Sequence, residues 1–432
     1  MALIVDAGRR TAPAILALLV LVFLKGLLFA AMLPAWEGDD ETAYWTDIRS
    51  IAEPARVANA GTAHGRVYPI IAAPIYRATR SLSPAHRLFA VRLLGIILHA
   101  AIVYLAWLLA RLLWPDSTFI QLAGPLVVAF NPKLAFVMAA VNTDVFLIFI
   151  FSLFLVQLTS FVLKPSGVKA ALLGPVVIVG ALTKNRFYIA FPVLALAALA
   201  LGLEGLIRTR LYKANRQLFW GAGAALLIGV WDFWPKIEGL LGQGPGKVAL
   251  AAFTFDRTLL GIWAQPWFRF RMFRQFWGFF AWHGGIYLSE PVYTVLTALS
   301  AVAAGGLMLR FYRALRSVVA LDSSREKTAG GGLALSIKSI TLAQYRQALA
   351  VALNLTTVWL VIVATGAYEL SGSAALGRYL LVAAVPPAVL GAAGVEVFLP
   401  DRFRRWGLVA LAAGGFWLNI VAITAFLMPR FY

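Results

Sequence analysis

The chain has 432 residues, of which 61% are hydrophobic and 13% are charged, and its mean hydropathy is +0.81. A soluble core cannot use that much apolar surface without exposing large patches of it, so the composition excludes an ordinary soluble protein. The formal net charge is +19, but the Lys and Arg residues lie mainly between apolar segments, where they act as topology signals and contact membrane lipids. Nucleic acid is therefore not an expected partner, and with no cysteine the chain has no thiolate chemistry.

Repeated uncharged segments of about 20 residues match the length that a helix needs to cross a bilayer. We predict an all-α, polytopic helical membrane protein with a single transmembrane domain over residues 1–432 and about eleven transmembrane helices. The predicted spans are 12–34, 87–113, 119–140, 143–163, 170–183, 188–207, 217–235, 288–309, 347–367, 379–399 and 406–428. A signal peptide is the alternative for the first span, but its apolar run exceeds the usual ~7–15 residues, which favours an uncleaved helix.

Basic residues between the spans predict the orientation of the chain. They lie on one side of the membrane if the N-terminus is cytoplasmic: Arg9, Arg10, Lys164, Lys169, Arg208, Arg210, Lys213, Arg216, Arg402, Arg404 and Arg405, together with the basic loop 310–346. The same orientation places two long loops, 35–86 and 236–287, outside. We expect a multi-pass protein of a bacterial inner membrane whose active site faces the periplasmic side.

Both outer loops contain residues suited to chemistry. The first outer loop, 35–86, opens with Gly38-Asp39-Asp40-Glu41, and its prolines predict short interfacial helices. The second, 236–287, alternates Arg with aromatic residues and includes His283. Its pattern is typical of an aromatic belt with snorkelling Arg residues, or of a platform for a lipid phosphate.

Counting helices from the N-terminus brings five polar groups to the outer face. They are the acidic cluster, Asn142 with Asp144, Lys184 with Arg186, His283, and Arg378 with Tyr379. Ionisable groups near membrane depth are costly and usually line a cavity or a site. We therefore predict that these groups form one site.

The motifs resemble those of a known superfamily. Asp40-Glu41-Thr42-Ala43-Tyr44 is similar to the acidic motif that opens the first outer loop of protein mannosyltransferases and aminoarabinose transferases, which are polytopic glycosyltransferases of the GT-C superfamily. A closer likeness is to an uncharacterised bacterial family of that superfamily. Its recurrent blocks are matched in order by Asn131-Pro132, Val141-Asn142-Thr143-Asp144, Leu182-Thr183-Lys184, Phe276-Trp277-Gly278 and Gly377-Arg378-Tyr379. Those relatives often place a His shortly after the acidic pair, where this chain has Tyr44 and Trp45.

The resemblance implies an inverting glycosyltransferase with a GT-C-like fold. Its donor would be a polyprenyl-phosphate-linked sugar, and its acceptor a lipid, glycan or protein of the cell envelope. Phosphate is a good leaving group, so the reaction needs a base for the acceptor hydroxyl and cations for the departing phosphate, but no general acid. Asp40 is the predicted base, with Asp39 and Glu41 as the other catalytic candidates.

Predicted donor-binding residues follow from the same chemistry. Cations for the phosphate are Lys184, Arg186 and Arg378, beside Tyr379. His283 would donate a hydrogen bond to the phosphate, while Asn142 and Asp144 would position sugar hydroxyls. No cofactor is expected; Mg²⁺ or Mn²⁺ at the acidic cluster is the alternative.

Each candidate also has a structural interpretation. Asp39, Asp40 and Glu41 would be solvated at a loop end, or they would be the N-cap and first-turn acids of an interfacial helix, with Asp39 as the cap. Asn142 and Asp144 would cap the following helix, and Lys184 and Arg186 would anchor a helix end. Arg378 would pair with Glu369, and His283 would be structural. The alternative functions are a flippase or transporter, or a polymerase acting on lipid-linked sugars. A transporter should have ionisable residues near helix midpoints, where this chain has only Lys25, Arg92 and Lys133.

Overall fold

The structure is a computed structural model that describes residues 2–54, 65–207, 259–280, 285–321, 335–337, 341–371 and 374–432. Its α-helices in chain order are α1 (Ala2–Met32), α2 (Glu41–Ala52), α3 (Val67–Ala78), α4 (Pro84–Leu113), α5 (Thr118–Phe130), α6 (Pro132–Met138), α7 (Thr143–Leu163), α8 (Gly167–Thr183), α9 (Ala190–Ile207), α10 (Leu259–Ala264), α11 (Pro266–Trp277), α12 (Glu290–Val318), α13 (Leu342–Leu370), α14 (Val385–Glu396), α15 (Asp401–Val421) and α16 (Met428–Phe431). Two 3₁₀ helices, Asn185–Ile189 and Gly377–Ala383, precede α9 and α14, and a π-helix, Ala422–Leu427, joins α15 to α16. Antiparallel strands pair β1 (Phe279–Phe280) with β2 (Ile286–Tyr287), and β3 (Val319–Leu321) with β4 (Leu335–Ile337).

The prediction of an all-α polytopic membrane protein is confirmed. In the described residues, seven helices are long and apolar enough to cross a membrane, or nine if each of two bent pairs is one span. The predicted span 170–183 corresponds to α8, which has only 17 residues, and 217–235 lies outside the described residues. The predicted number of eleven is therefore not established.

Both bent pairs have local causes. The chain bends by 61° between α5 and α6, where Pro132 is the first residue of α6 and cannot continue the helix before it. Asn131 caps α6, its side chain accepting a hydrogen bond from Leu134 N at 2.8 Å. The second bend, of 76°, separates the 3₁₀ helix Gly377–Ala383 from α14, which has Pro386 in its first turn. These breaks place polar backbone and side chains at two points inside otherwise apolar spans.

Helix α4 lies at the centre of the bundle. It packs against α1, α5 and α7, while α14 packs against α5 and α12. The side chains between these helices form one large hydrophobic core. The segment 35–86, predicted as the first outer loop, contains two helices of 12 residues, α2 and α3, which pack against each other, and α3 packs against α4. The start of α2, the turn between α6 and α7, and the two 3₁₀ helices thereby come together at one end of the bundle.

Candidate functional site

The three consecutive acids at the start of α2 each pair with a different cation. The pairs are Asp39 with Lys133, Asp40 with Arg378, and Glu41 with Arg92, at 2.6, 2.5 and 2.6 Å. These pairings offset the repulsion between adjacent carboxylates. Their partners come from three other elements, α6, the 3₁₀ helix Gly377–Ala383 and α4, so the acidic segment joins distant parts of the chain.

Glu41 is a structural residue in this geometry. Arg92 donates to both of its carboxylate oxygens, at 2.9 and 2.6 Å, and the backbone N–H groups of Val141 and Trp36 donate to them at 2.8 and 3.1 Å. Both side chains of the pair are buried. Four donors occupy the carboxylate, and this geometry does not support its prediction as a catalytic base.

Asp39 is buried between two cations. Its Oδ2 lies 2.6 Å from Lys133 Nζ and 3.3 Å from Arg378 Nη1. The alternative that Asp39 caps a helix is wrong, because Asp40 occupies the N-cap of α2 and makes no side-chain capping bond. Asp39 is thus positioned to hold Lys133 and Arg378 rather than to contact a substrate.

Asp40 differs from its neighbours in conformation and exposure. Its backbone is left-handed, with φ 56° and ψ 18°, a conformation that costs a non-glycine residue about 1 kcal/mol. The side chain is 24% exposed, against 2% for Asp39 and 0% for Glu41. Its Oδ2 accepts a hydrogen bond from Arg378. Of the three acids, Asp40 alone combines a fixed orientation with substantial access.

A second carboxylate joins the site from the start of α7. Asp144 Oδ1 lies 2.6 Å from Lys184 Nζ and 3.6 Å from Arg186 Nη1, and its Oδ2 lies 3.9 Å from Arg378 Nε. Asn142 caps α7: its Oδ1 accepts from Asp144 N at 2.8 Å, and its Nδ2 donates to the carbonyl of Asp39 at 3.2 Å. The capping interpretation of Asn142 is therefore confirmed.

Arg378 lies inside the cluster and does not pair with Glu369. That alternative is wrong, because Glu369 bonds to Arg271 at 2.7 Å and accepts a hydrogen bond from Ala375 N. The 3₁₀ helix that carries Arg378 is held by Gln275 of α11, whose Oε1 accepts from Gly377 N at 2.7 Å. A Cβ at Gly377 would lie 2.5 Å from Gln275 Cβ, so only glycine permits this approach.

Lys184 and Arg186 line the accessible side of the cluster. Their side chains are 16% and 23% exposed, against 6% for Arg378. The guanidinium of Arg186 stacks on the ring of Tyr379, 3.2 Å from its centroid. Burial lowers the pKa of the Lys184 ammonium, although Asp144 acts in the opposite direction. Among the residues that the structure describes, four basic side chains (Lys133, Lys184, Arg186 and Arg378) face three carboxylates (Asp39, Asp40 and Asp144), an excess that suits an anionic ligand.

The sequence missed several residues of this site. Lys133 and Arg92 were visible only as charges inside predicted spans, and nothing in the sequence indicated their partners. Tyr44 stands where related sequences often have a His, and its hydroxyl lies 3.5 Å from Lys184 Nζ. Burial and the nearby Asp144 raise the pKa of Tyr44, which keeps the phenol protonated. His283 lies outside the described residues.

An apolar cavity of about 370 Å³ lies on the other side of the 3₁₀ helix. Residues of α5, α6, α11, α12, α13 and α14 line it, together with Leu380 and Ala383 of the 3₁₀ helix. Asn131 and Ser300 are its polar lining residues within the described part of the chain. Arg378 therefore lies in the charged cluster, whereas Leu380 of the same short helix lines the apolar cavity.

No family model and no curated protein matches the chain. Solved structures of an oligosaccharyltransferase from Archaeoglobus fulgidus do match. The apo form aligns with a TM-score of 0.54 and 12% identity over 95% of this chain. The enzyme AglB in complex with an inhibitory peptide and a dolichol-phosphate aligns with a TM-score of 0.53, again at 12% identity and 95% coverage. The chain shares the fold of this oligosaccharyltransferase.

The likeness has a defined extent. The chain spans 55% of the length of these two structures, and 52% of a complex of the same enzyme with Zn and sulfate, whose TM-score is 0.51. At 12% identity the comparison shows a shared fold and leaves activity open. The shared fold agrees with the fold that the resemblance of the motifs between Asp40 and Tyr379 implied.

Proposed function

We propose that the protein is an inverting GT-C glycosyltransferase. It moves a sugar from a polyprenyl-phosphate donor to a cell-envelope acceptor at the periplasmic face of a bacterial inner membrane. One observation carries the proposal: an oriented, accessible carboxylate, Asp40, lies within a cluster of cations at the end of a GT-C bundle. Neighbouring proteins of this fold include one solved with dolichol-phosphate, which supports a lipid-linked donor.

The reaction requires one proton transfer and one displacement. The acceptor oxygen attacks the anomeric carbon, and its proton passes to the carboxylate of Asp40. A new carbon–oxygen bond forms as the bond from the anomeric carbon to the phosphate oxygen breaks, and the polyprenyl phosphate leaves with both bonding electrons. Attack from the face opposite the phosphate inverts the anomeric centre.

Lys184 and Arg186 are the proposed phosphate ligands. They are the more exposed cations of the cluster, and Arg makes charge-assisted bonds to phosphate oxygens. Stacking on Tyr379 fixes the plane of the Arg186 guanidinium. A fixed cation lowers the energy of the negative charge that grows on the leaving phosphate. Asp144 holds both cations and is a positioning residue for them.

The apolar cavity behind the 3₁₀ helix supports a lipid-linked donor. It is lined almost entirely by apolar side chains and lies beside the helix that carries Arg378 and Tyr379. A donor with its phosphate at Arg186 would have isoprenoid carbons to bury, and such carbons are stabilised in apolar surroundings.

The test is a transfer assay with purified protein. The protein is incubated in detergent with a polyprenyl-phosphate-linked monosaccharide and candidate lipid, glycan and peptide acceptors, and products are detected by mass spectrometry. A glycosylated acceptor with inverted anomeric configuration supports the proposal. Movement of the donor across liposomes with no product would contradict it and would indicate a transporter, and chains of repeated sugar units would indicate a polymerase.

A further inference from the structure

Three carboxylates from two separate parts of the chain surround the guanidinium of Arg378. Asp39 Oδ2 lies 3.3 Å from Nη1, Asp40 Oδ2 lies 2.5 Å from Nη2, and Asp144 Oδ2 lies 3.9 Å from Nε. Each of the three guanidinium nitrogens therefore faces a different carboxylate. The side chain of Arg378 is 6% exposed, so the arrangement is held inside the protein.

Convergent carboxylates are also the ligands that hard divalent cations prefer. A structure of similar fold is a complex with Zn and sulfate, which makes a divalent cation at this site worth testing against the residues present. The described residues contain no group of three or more His, Cys, Asp or Glu side chains arranged to hold a metal ion. The carboxylates instead direct their oxygens at nitrogen atoms.

The charges at the site do not fit a divalent cation. Asp39 is also bound by Lys133 at 2.6 Å, and Asp144 by Lys184 at 2.6 Å. A metal would have to displace Arg378, which keeps its charge at any ordinary pH and would be left buried without a counter-ion. The three other cations of the cluster, Lys133, Lys184 and Arg186, would also repel it. The three carboxylates and the surrounding cations therefore suit a guanidinium and do not suit a divalent metal ion.

We propose that the guanidinium of Arg378 takes the position of a divalent cation among Asp39, Asp40 and Asp144, so that the site works without a metal ion. Arg378 is then a positioning residue, which orients the carboxylate of Asp40 towards the accessible side of the cluster. The hydrogen bond from Gly377 N to Gln275 fixes its backbone. The consequence for sugar transfer rests on the proposed function, but the consequence for metal binding does not.

The experiment measures Mn²⁺ binding by electron paramagnetic resonance in three purified full-length proteins. These are the wild type, Arg378→Ala, and the control Arg274→Ala, which removes a half-buried Arg that pairs with Glu290 and with none of the cluster's carboxylates. We expect no specific Mn²⁺ site in the wild type or the control. Arg378→Ala leaves three carboxylates with one fewer cation, and its Mn²⁺ affinity should rise by about tenfold or more over the wild type.

Two results would overturn the proposal. One is a wild-type protein that binds a single Mn²⁺ and loses that site in Asp40→Asn. The other is an Arg378→Ala protein that folds and binds Mn²⁺ no better than the wild type. If Arg378→Ala does not fold, the melting temperature of the wild type is measured with and without a chelator or Mn²⁺. A melting temperature that neither addition changes supports the proposal, and a decrease caused by the chelator contradicts it. These measurements need no transfer activity, so failure of this proposal can be distinguished from failure of the proposed function.

Discussion

Replacing Arg92 by Met removes the cation that holds the acidic segment in place. Arg92 pairs with Glu41 inside the bundle, where the side chains are 3% and 0% exposed. It also donates to three backbone carbonyls at the end of α1, those of Ala30, Leu33 and Pro34. The substitution keeps a long side chain but leaves the Glu41 carboxylate buried without its counter-ion.

The expected loss follows from the burial of the pair. Removing one partner of a buried ion pair costs about 3–5 kcal/mol, since the other charge stays uncompensated. We expect Arg92→Met to lower the free energy of unfolding by about 4 kcal/mol, and Glu41→Leu to have an effect of similar size. The double variant removes both charges, so its loss should be smaller than the sum of the single losses by about 2 kcal/mol or more.

The assay is reversible unfolding in mixed detergent–SDS micelles, followed by tryptophan fluorescence and far-ultraviolet circular dichroism. All three variants and the wild type are compared at the same lipid and detergent content. The reasoning is refuted if both single variants stay within about 1 kcal/mol of the wild type, or if the losses simply add. Either result would show that water or another group compensates the remaining charge.

Three further predictions concern the 3₁₀ helix, the phosphate site and the orientation. Gly377→Ala should lower the free energy of unfolding by about 1–3 kcal/mol in the same assay, because the added Cβ meets α11. The control Gly174→Ala places its Cβ in open space and should cause no such loss. Equal losses in the two variants would contradict the close packing of Gly377 against α11. Arg186→Glu should weaken binding of a polyprenyl-phosphate analogue about tenfold relative to Arg274→Glu, and unchanged binding would remove the phosphate assignment. Because the chain has no cysteine, Glu37→Cys provides a single site for thiol labelling. A membrane-impermeant maleimide should react with this cysteine in intact spheroplasts. Labelling only after permeabilisation would show that the orientation is the reverse of the predicted one.

The helical architecture could be predicted because apolar length is a local property. Spans such as 87–113 and 143–163 differ from the observed helices α4 and α7 by three residues or fewer. The break at Asn131-Pro132 was also visible, since proline cannot continue a helix. The end of α12 at Val318 was not predicted, because Arg310, Arg313 and Arg316 extend the helix beyond its apolar part.

The composition of the site was predictable, but its pairing was not. Counting helices from the N-terminus predicted that Asp40, Asp144, Lys184 and Arg378 lie at one end of the bundle. The structure places these four residues within one network of ion pairs. Which acid is accessible depends on partners that are distant in sequence and on the left-handed backbone of Asp40. Three adjacent acids look alike in the sequence, and only tertiary contacts distinguish them.

The most direct test of the account compares sugar transfer by Asp40→Asn and Glu37→Gln in purified protein. Glu37 is an exposed carboxylate three residues away, and its side chain forms no ion pair with the residues that the structure describes. We predict that Asp40→Asn lowers the single-turnover rate by about 100-fold or more while both variants bind the donor analogue as the wild type does. Asp40→Asn protein that folds, binds the donor and transfers sugar at the wild-type rate would contradict the central claim.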